Sequence, residues 1–229
     1  IIAVDRPGHG LSDFQRGRKL LDWPDDVIEL VDALQVPRFA VLGLSGGGPY
    51  AAACAFKIPE RLTATAIVSG MGPADAPGAK EGSSWTYPGK PSVIRRLLLM
   101  LTAMGLRKDP DRFNSNMRDA FEGPDKELAL ENSELLDGVT ETFSEALRPG
   151  IAGANYEAGL YTRPWGFRLQ DIEAEVHLWH GEQDGNVLVS VGRYVADAIP
   201  NCQASFMENE GHMTLIYKHV REVLRVLMV

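Results

Sequence analysis

Apolar residues fall into two kinds of run along this chain, short unbroken blocks and longer stretches at helical spacing, and the two alternate. Residues 1–4 form a β-branched block followed by the turn-rich Asp5-Arg6-Pro7-Gly8-His9-Gly10, which predicts a strand leaving into a loop. Asp22-Trp23-Pro24-Asp25-Asp26 carries the acids and the proline of a helix's first turn. Val27, Ile28, Leu30, Val31 and Leu34 then recur at helical spacing until Pro37 closes the segment. Residues 39–44 are apolar apart from one glycine, which predicts a strand covered on both faces. A glycine-rich turn at 45–49 leads into an Ala-rich helix over 50–56, and residues 62–68 make a further strand block. Such an alternation with short connections predicts an α/β fold with a mostly parallel sheet and flanking helices, because parallel strands need crossover helices to join them.

Beyond residue 70 the alternation stops. Residues 71–91 are rich in Gly, Pro, Ala and Ser and read as loop, and helical spacing then returns over 93–106, 110–121, 125–131 and 134–147 with no convincing strand. The strand–helix rhythm resumes with strands at 175–179 and 203–207 and helices at 187–199 and 214–228. The expected organisation is an α/β core built from 1–70 and 171–229, with an inserted helical cap over 71–170, too long for a simple connection. The Leu- and Met-bearing stretch 97–106 suits an apolar pocket wall or the buried face of a packed helix. Trp85, Tyr87, Tyr161 and Trp165 could line an entrance or fasten the cap down.

Composition narrows the class. The 229 residues are 45% hydrophobic and 24% charged, as in an ordinary folded protein, with a formal net charge of −8. That sign argues against nucleic acid or an anionic membrane as the main partner and leaves a small molecule. The longest tempting apolar block, 97–101, is far shorter than the roughly 18 residues of a membrane span. Two cysteines, Cys54 and Cys202, exclude a disulfide framework and a cysteine-rich zinc site, and make a reducing, cytoplasmic compartment the expectation. The chain opens inside an apolar block without an initiator Met, so its first residue is not expected to be the natural start.

Candidate chemistry begins at Gly43-Leu44-Ser45-Gly46-Gly47, a Gly-x-Ser-x-Gly pattern placed where a strand should end and a helix begin. A tight turn there would hold Ser45 in a strained conformation with its hydroxyl beside the positive end of the following helix. A plain turn or a phosphate loop is the competing reading, although neither Gly-Lys-Ser/Thr nor Gly-x-Gly-x-x-Gly is matched. A serine nucleophile needs a base, and the base needs an orienting carboxylate. Of the five histidines, His9 sits in the first loop, His177 and His180 in or at the end of a strand, and His219 in the last helix, all places for structural roles. His212, in Glu210-Gly211-His212-Met213, lies in a loop at a strand end, where parallel sheets display working residues. Asp184, in His180-Gly181-Glu182-Gln183-Asp184-Gly185, has the same placement, with Glu182 its nearest rival and helix capping its alternative role. The chain order Ser45, Asp184, His212 is one of the known orders of a convergent catalytic triad.

With these residues in place the sequence resembles the α/β-hydrolase superfamily, in its single-domain form with a helical cap, over nearly its whole length. The resemblance is carried by Asp5-Arg6-Pro7-Gly8-His9-Gly10-Leu11-Ser12, Gly43-Leu44-Ser45-Gly46-Gly47, Leu178-Trp179-His180-Gly181-Glu182-Gln183-Asp184 and Gly211-His212. It implies Ser45 as nucleophile, His212 as base, Asp184 as its orienter and the Gly46 backbone N–H as one oxyanion donor, with no metal or organic cofactor. It makes the 5–12 loop structural and His9 non-catalytic. It also implies that the first strands of the sheet and the second oxyanion donor lie upstream of residue 1, so that the chain is an N-terminally incomplete hydrolase with a gap or exposed edge in its sheet. The activity implied is hydrolysis of a carboxylic ester or related small acyl compound. Carbon–carbon bond hydrolases and proline-type aminopeptidases of the same fold are alternatives, the latter with cap acids such as Glu122 or Glu141 holding an amine, and a non-catalytic ligand-binding relative is a further one.

Overall fold

Four of the apolar blocks pair into one parallel sheet, β1 (Phe39–Leu44), β2 (Leu62–Val68), β3 (Val176–Gly181) and β4 (Cys202–Met207), in the order β1-β2-β3-β4. The computed structural model describes residues 1–83 and 88–228. Contacts divide the chain into two compact units: Lys19–Trp85 with Arg163–Val229, which holds the sheet, and Ile1–Arg18 with Thr86–Thr162, which is helical.

In the sheet unit the crossovers from β1 to β2 and from β3 to β4 are each made by one helix. Between β1 and β2 runs α2 (Gly48–Lys57), whose residues 51–55 are alanines and one cysteine, all buried. Side chains this small let the helix lie close on β1 and β2. Before β1 comes α1 (Trp23–Ala33), opened by Pro24 with Asp25 and Asp26 in its first turn, where carboxylates oppose the positive helix end. Between β3 and β4 runs α8 (Val189–Ala198), and after β4 comes α9 (His212–Leu227). Leu215 and Val223 of α9 are fully buried against Ala66, Val68 and Trp179, which makes this contact the centre of the unit's core.

Two expectations are corrected. Residues 1–4 form no strand and Ile1, Ile2 and Val4 are exposed; among the described residues no strand lies beside them to take up their backbone hydrogen bonds. Nor is β1 covered on both faces: it pairs with β2 at the end of the four-stranded sheet, and Leu42 and Leu44 remain 43% and 39% exposed. The intervening Gly43 points the other way, onto α2.

The helical unit contains α3 (Ser92–Lys108), α4 (Pro110–Ala120), α5 (Gly123–Glu131), α6 (Ser133–Ala146) and α7 (Ala152–Tyr161). The Asp109 side chain caps α4 by accepting from the Arg112 N–H at 3.0 Å, ahead of Pro110. Helix α7 carries no helical apolar stripe in its sequence, so local pattern alone does not predict it. It is held by tertiary contact: a Cβ at Gly153 would fall 2.1 Å from the Gly8 carbonyl, so the 5–13 loop lies directly on α7. The same contact carries a buried ion cluster, in which Glu157 of α7 accepts from Arg6 at 2.6 and 3.1 Å with Arg18 at 3.5 Å and His9 at 3.6 Å.

Candidate active site

Parallel strands point their carboxyl ends the same way, so the residues that follow β1, β3 and β4 share one edge of the sheet. Ser45 follows β1, Asp184 follows β3 and His212 follows β4. Asp184 and His212 are in direct contact, 2.8 Å from carboxylate Oδ2 to imidazole Nδ1.

The turn at Ser45 is built by its neighbours. Ser45–Gly47 forms one tight turn between β1 and α2, and Ser45 has a φ of +52°, a conformation that costs a non-glycine residue energy. A Cβ at Gly43 would meet the Gly47 carbonyl at 2.4 Å and Ala51 at 2.7 Å, and one at Gly48 would come within 2.9 Å of the Gly70 backbone. By contrast the space around Gly47 is open. Crowding thus demands glycine at 43 and 48, whereas the pattern read from the sequence spans 43 and 47. The Met71 N–H donates to the Ser45 carbonyl at 3.0 Å, which ties the turn to the segment after β2.

Asp184 is held from three sides. Its Oδ1 accepts the backbone N–H groups of Asn186 and Val187, both at 2.8 Å, and its Oδ2 takes His212. Its side chain is fully buried, and that of His212 nearly so. The two loops are joined by backbone bonds as well: Glu182 N–H donates to Met207 O and Gln183 N–H to Glu210 O, both at 3.0 Å. His212 opens α9, where the Thr214 hydroxyl accepts the Gly211 N–H at 2.6 Å and fixes the helix start. A carboxylate only accepts, so His212 carries its proton on Nδ1 when neutral and presents Nε2 as the basic lone pair. That is what a general base for a hydroxyl requires.

The rival residues are engaged elsewhere. Glu182 binds Arg193 at 2.6 Å on the surface. His9 belongs to the Glu157 cluster, and burial holds its imidazole below the usual range. His177 stacks on Trp179 at 5.9 Å between ring centres, and His219 faces Glu222 and Glu210 at 3.3 and 3.6 Å. His180 is fully buried beneath Asp184, its Nε2 2.7 Å from the Val187 carbonyl. Burial pushes the Cys54 thiol up to about 12 and that of Cys202 to about 11, so neither is a nucleophile near neutral pH. Tyr161 and Trp165 are buried, the latter packed against Phe167, while Trp85 and Tyr87 lie outside the described residues. Glu122 and Glu141 are exposed; Asp125 and Glu157 of the helical unit are buried, and it is Glu157 that gathers the ion cluster. Nothing in the sequence singled it out, since its ion partners lie some 150 positions away. Among the described residues no His, Cys, Asp or Glu group of three could hold a metal ion, and no helix is long and apolar enough to cross a membrane.

Known proteins resemble this chain in sequence and in fold. The chain is 28% identical over 95% of its length to a dihydrolipoyllysine-residue acetyltransferase component of an acetoin cleaving system from Cupriavidus necator, spanning 53% of that protein. It is 24% identical over 99% of its length to a 2-hydroxymuconate semialdehyde hydrolase from Pseudomonas putida, spanning 74% of it. Among solved structures, an esterase from Rhodococcus sp. superposes with a TM-score of 0.65 at 22% identity, over 96% of this chain and 78% of that one. The family model described as "Alpha/beta hydrolase family" matches residues 1–226, and with that match the chain belongs to the alpha/beta hydrolase family.

Proposed function

We propose that this chain is a serine hydrolase of carboxylic esters or related small acyl compounds, with Ser45 as nucleophile, His212 as base and Asp184 as its orienter. The observation that carries the reading is the buried 2.8 Å Asp184–His212 pair on the sheet edge that also bears the strained Ser45. Ser45 Oγ attacks the substrate carbonyl while its proton passes to His212 Nε2; the tetrahedral carbon then expels the alcohol, which takes that proton. Water repeats the sequence in reverse and frees the acid and Ser45. The Gly46 N–H serves as one oxyanion donor, at the positive end of α2. The 71–170 segment acts as the cap that selects the substrate, and no resident metal or cofactor takes part. A cytoplasmic location fits two cysteines that form no disulfide.

The test is intact-mass analysis after treatment with a fluorophosphonate, with Ser45→Ala as control. A single adduct that disappears in the alanine variant is expected. A folded protein that takes no adduct would overturn the reading in favour of a ligand-binding relative. A second reading, carbon–carbon bond hydrolysis by the same three residues, is favoured by the Pseudomonas putida relative, which matches 99% of this chain. Turnover of p-nitrophenyl acetate against turnover of 2-hydroxymuconate semialdehyde separates the two.

A further inference from the structure

Beneath the Asp184–His212 pair lies a second imidazole with no place in the proposed chemistry. His180 ends β3 and is fully buried, and its Nε2 sits 2.7 Å from the Val187 carbonyl and 3.5 Å from Asp184 Oδ2. A carbonyl oxygen only accepts, so Nε2 carries the proton and Nδ1 is bare. The surroundings agree: Nδ1 is buried without a hydrogen-bond partner, and burial holds the ring in its neutral form. The charged or titratable groups acting on this ring are Asp184, His212 and Arg193.

The single N–H of His180 therefore joins two things. It donates to the carbonyl of Val187, the residue whose own N–H donates to Asp184 Oδ1 at 2.8 Å. It also turns its positive end toward Oδ2, the oxygen that receives His212. The ring clamps the 184–187 turn to the end of β3 and limits rotation of the carboxylate. Space for it is made by α8, where a Cβ at Gly192 would fall 2.5 Å from Nδ1.

We propose that His180 is a positioning residue, which acts through Asp184 to keep the carboxylate aimed at His212. The proposal rests on the reading of Ser45, His212 and Asp184 as a triad. Its test is the rate of fluorophosphonate labelling against pH for the parent chain, His180→Leu, His180→Gln and Gly192→Ala, each with a thermal melt. In His180→Leu the N–H is lost, and labelling at neutral pH should fall about tenfold, as for loss of a hydrogen bond supporting a charged group. The pH midpoint of labelling should also move down, because a less well aimed Asp184 stabilises the His212 cation less. His180→Gln places an amide N–H near the original Nε2 and should recover much of both changes. Gly192→Ala, which pushes the ring without touching its chemistry, should change rate and midpoint in the same direction as His180→Leu. Folded His180→Leu with the parent's rate and midpoint would overturn the proposal. If His180→Leu does not fold, a parent-like profile in Gly192→Ala overturns it equally. A parent chain that takes no label removes the triad reading itself, an outcome distinct from the other two.

Discussion

At the scale of single residues, the candidate site depends on which atoms are held and which are left to react. Asp184 has both oxygens occupied, and amide substitution would put an N–H where His212 needs an acceptor. Asp184→Asn should therefore lower the fluorophosphonate labelling rate by about a thousandfold or more with little loss of folding, as expected when the imidazole takes the wrong tautomer; an unchanged rate would exclude its orienting role. The buried imidazoles also set a pH dependence. Burial holds His9 and His180 below the ordinary 6.5, so the unfolded chain binds more protons than the folded one in the window just under that pH. Their contribution is intact above 6.5 and declines as pH falls through the window, so the urea midpoint should be lower at pH 5.5 than at 7.5. A flat midpoint would show that neither ring is held neutral. The thiols offer a contrast: with Cys54 and Cys202 pushed up to about 12 and 11, iodoacetamide at pH 7.5 should leave both unmodified in the folded protein.

At the scale of elements, what could be read from the sequence followed from local pattern, and what could not followed from distant contact. Strands β1 and β2 coincide with the apolar blocks 39–44 and 62–68, because unbroken apolar runs between turn residues have few other stable uses. Ser45, Asp184 and His212 stood out for the same reason, each being a chemically able residue just past a strand. Residues 1–4 have the same composition as a strand, yet composition cannot supply the neighbour a strand needs. Helix α7 was invisible because Gly153 and Gly159 remove its apolar stripe, and its helix is specified by the 5–13 loop lying on it. The partner loop is anchored there by Glu157, and this gives a direct test of where the helical unit's stability resides. Glu157→Ala removes the carboxylate that Arg6 and the buried Arg18 share and should cost about 3 kcal/mol, within the range for breaking one side of a buried ion pair. Glu141→Ala, on the exposed face of α6, should leave the urea midpoint unchanged. Equal effects would mean that the cluster does not hold the unit together.

At the scale of the whole molecule, one parallel sheet carries all three candidate catalytic residues, and its first strand is its edge. Leu42 and Leu44 on that strand expose apolar surface, which favours association with another chain. The net charge of −8 opposes such association at long range. Leu42→Lys should therefore reduce concentration-dependent light scattering, most visibly at high salt where the charge is screened; no change would place the association elsewhere. The sheet also has an unequal history of assembly. Strands β1 and β2, and strands β3 and β4, are each joined through a single helix, whereas the path from β2 to β3 runs through α3 to α7. Bringing Val68 beside Trp179 means closing a loop on the order of a hundred residues, an entropic cost that grows with tether length. Pairing of the two halves is thus the slow, non-local event in refolding, and it becomes affordable only once the helices between them have shortened the tether. The segment proposed to choose the substrate is, on this account, also the one that times the birth of the site.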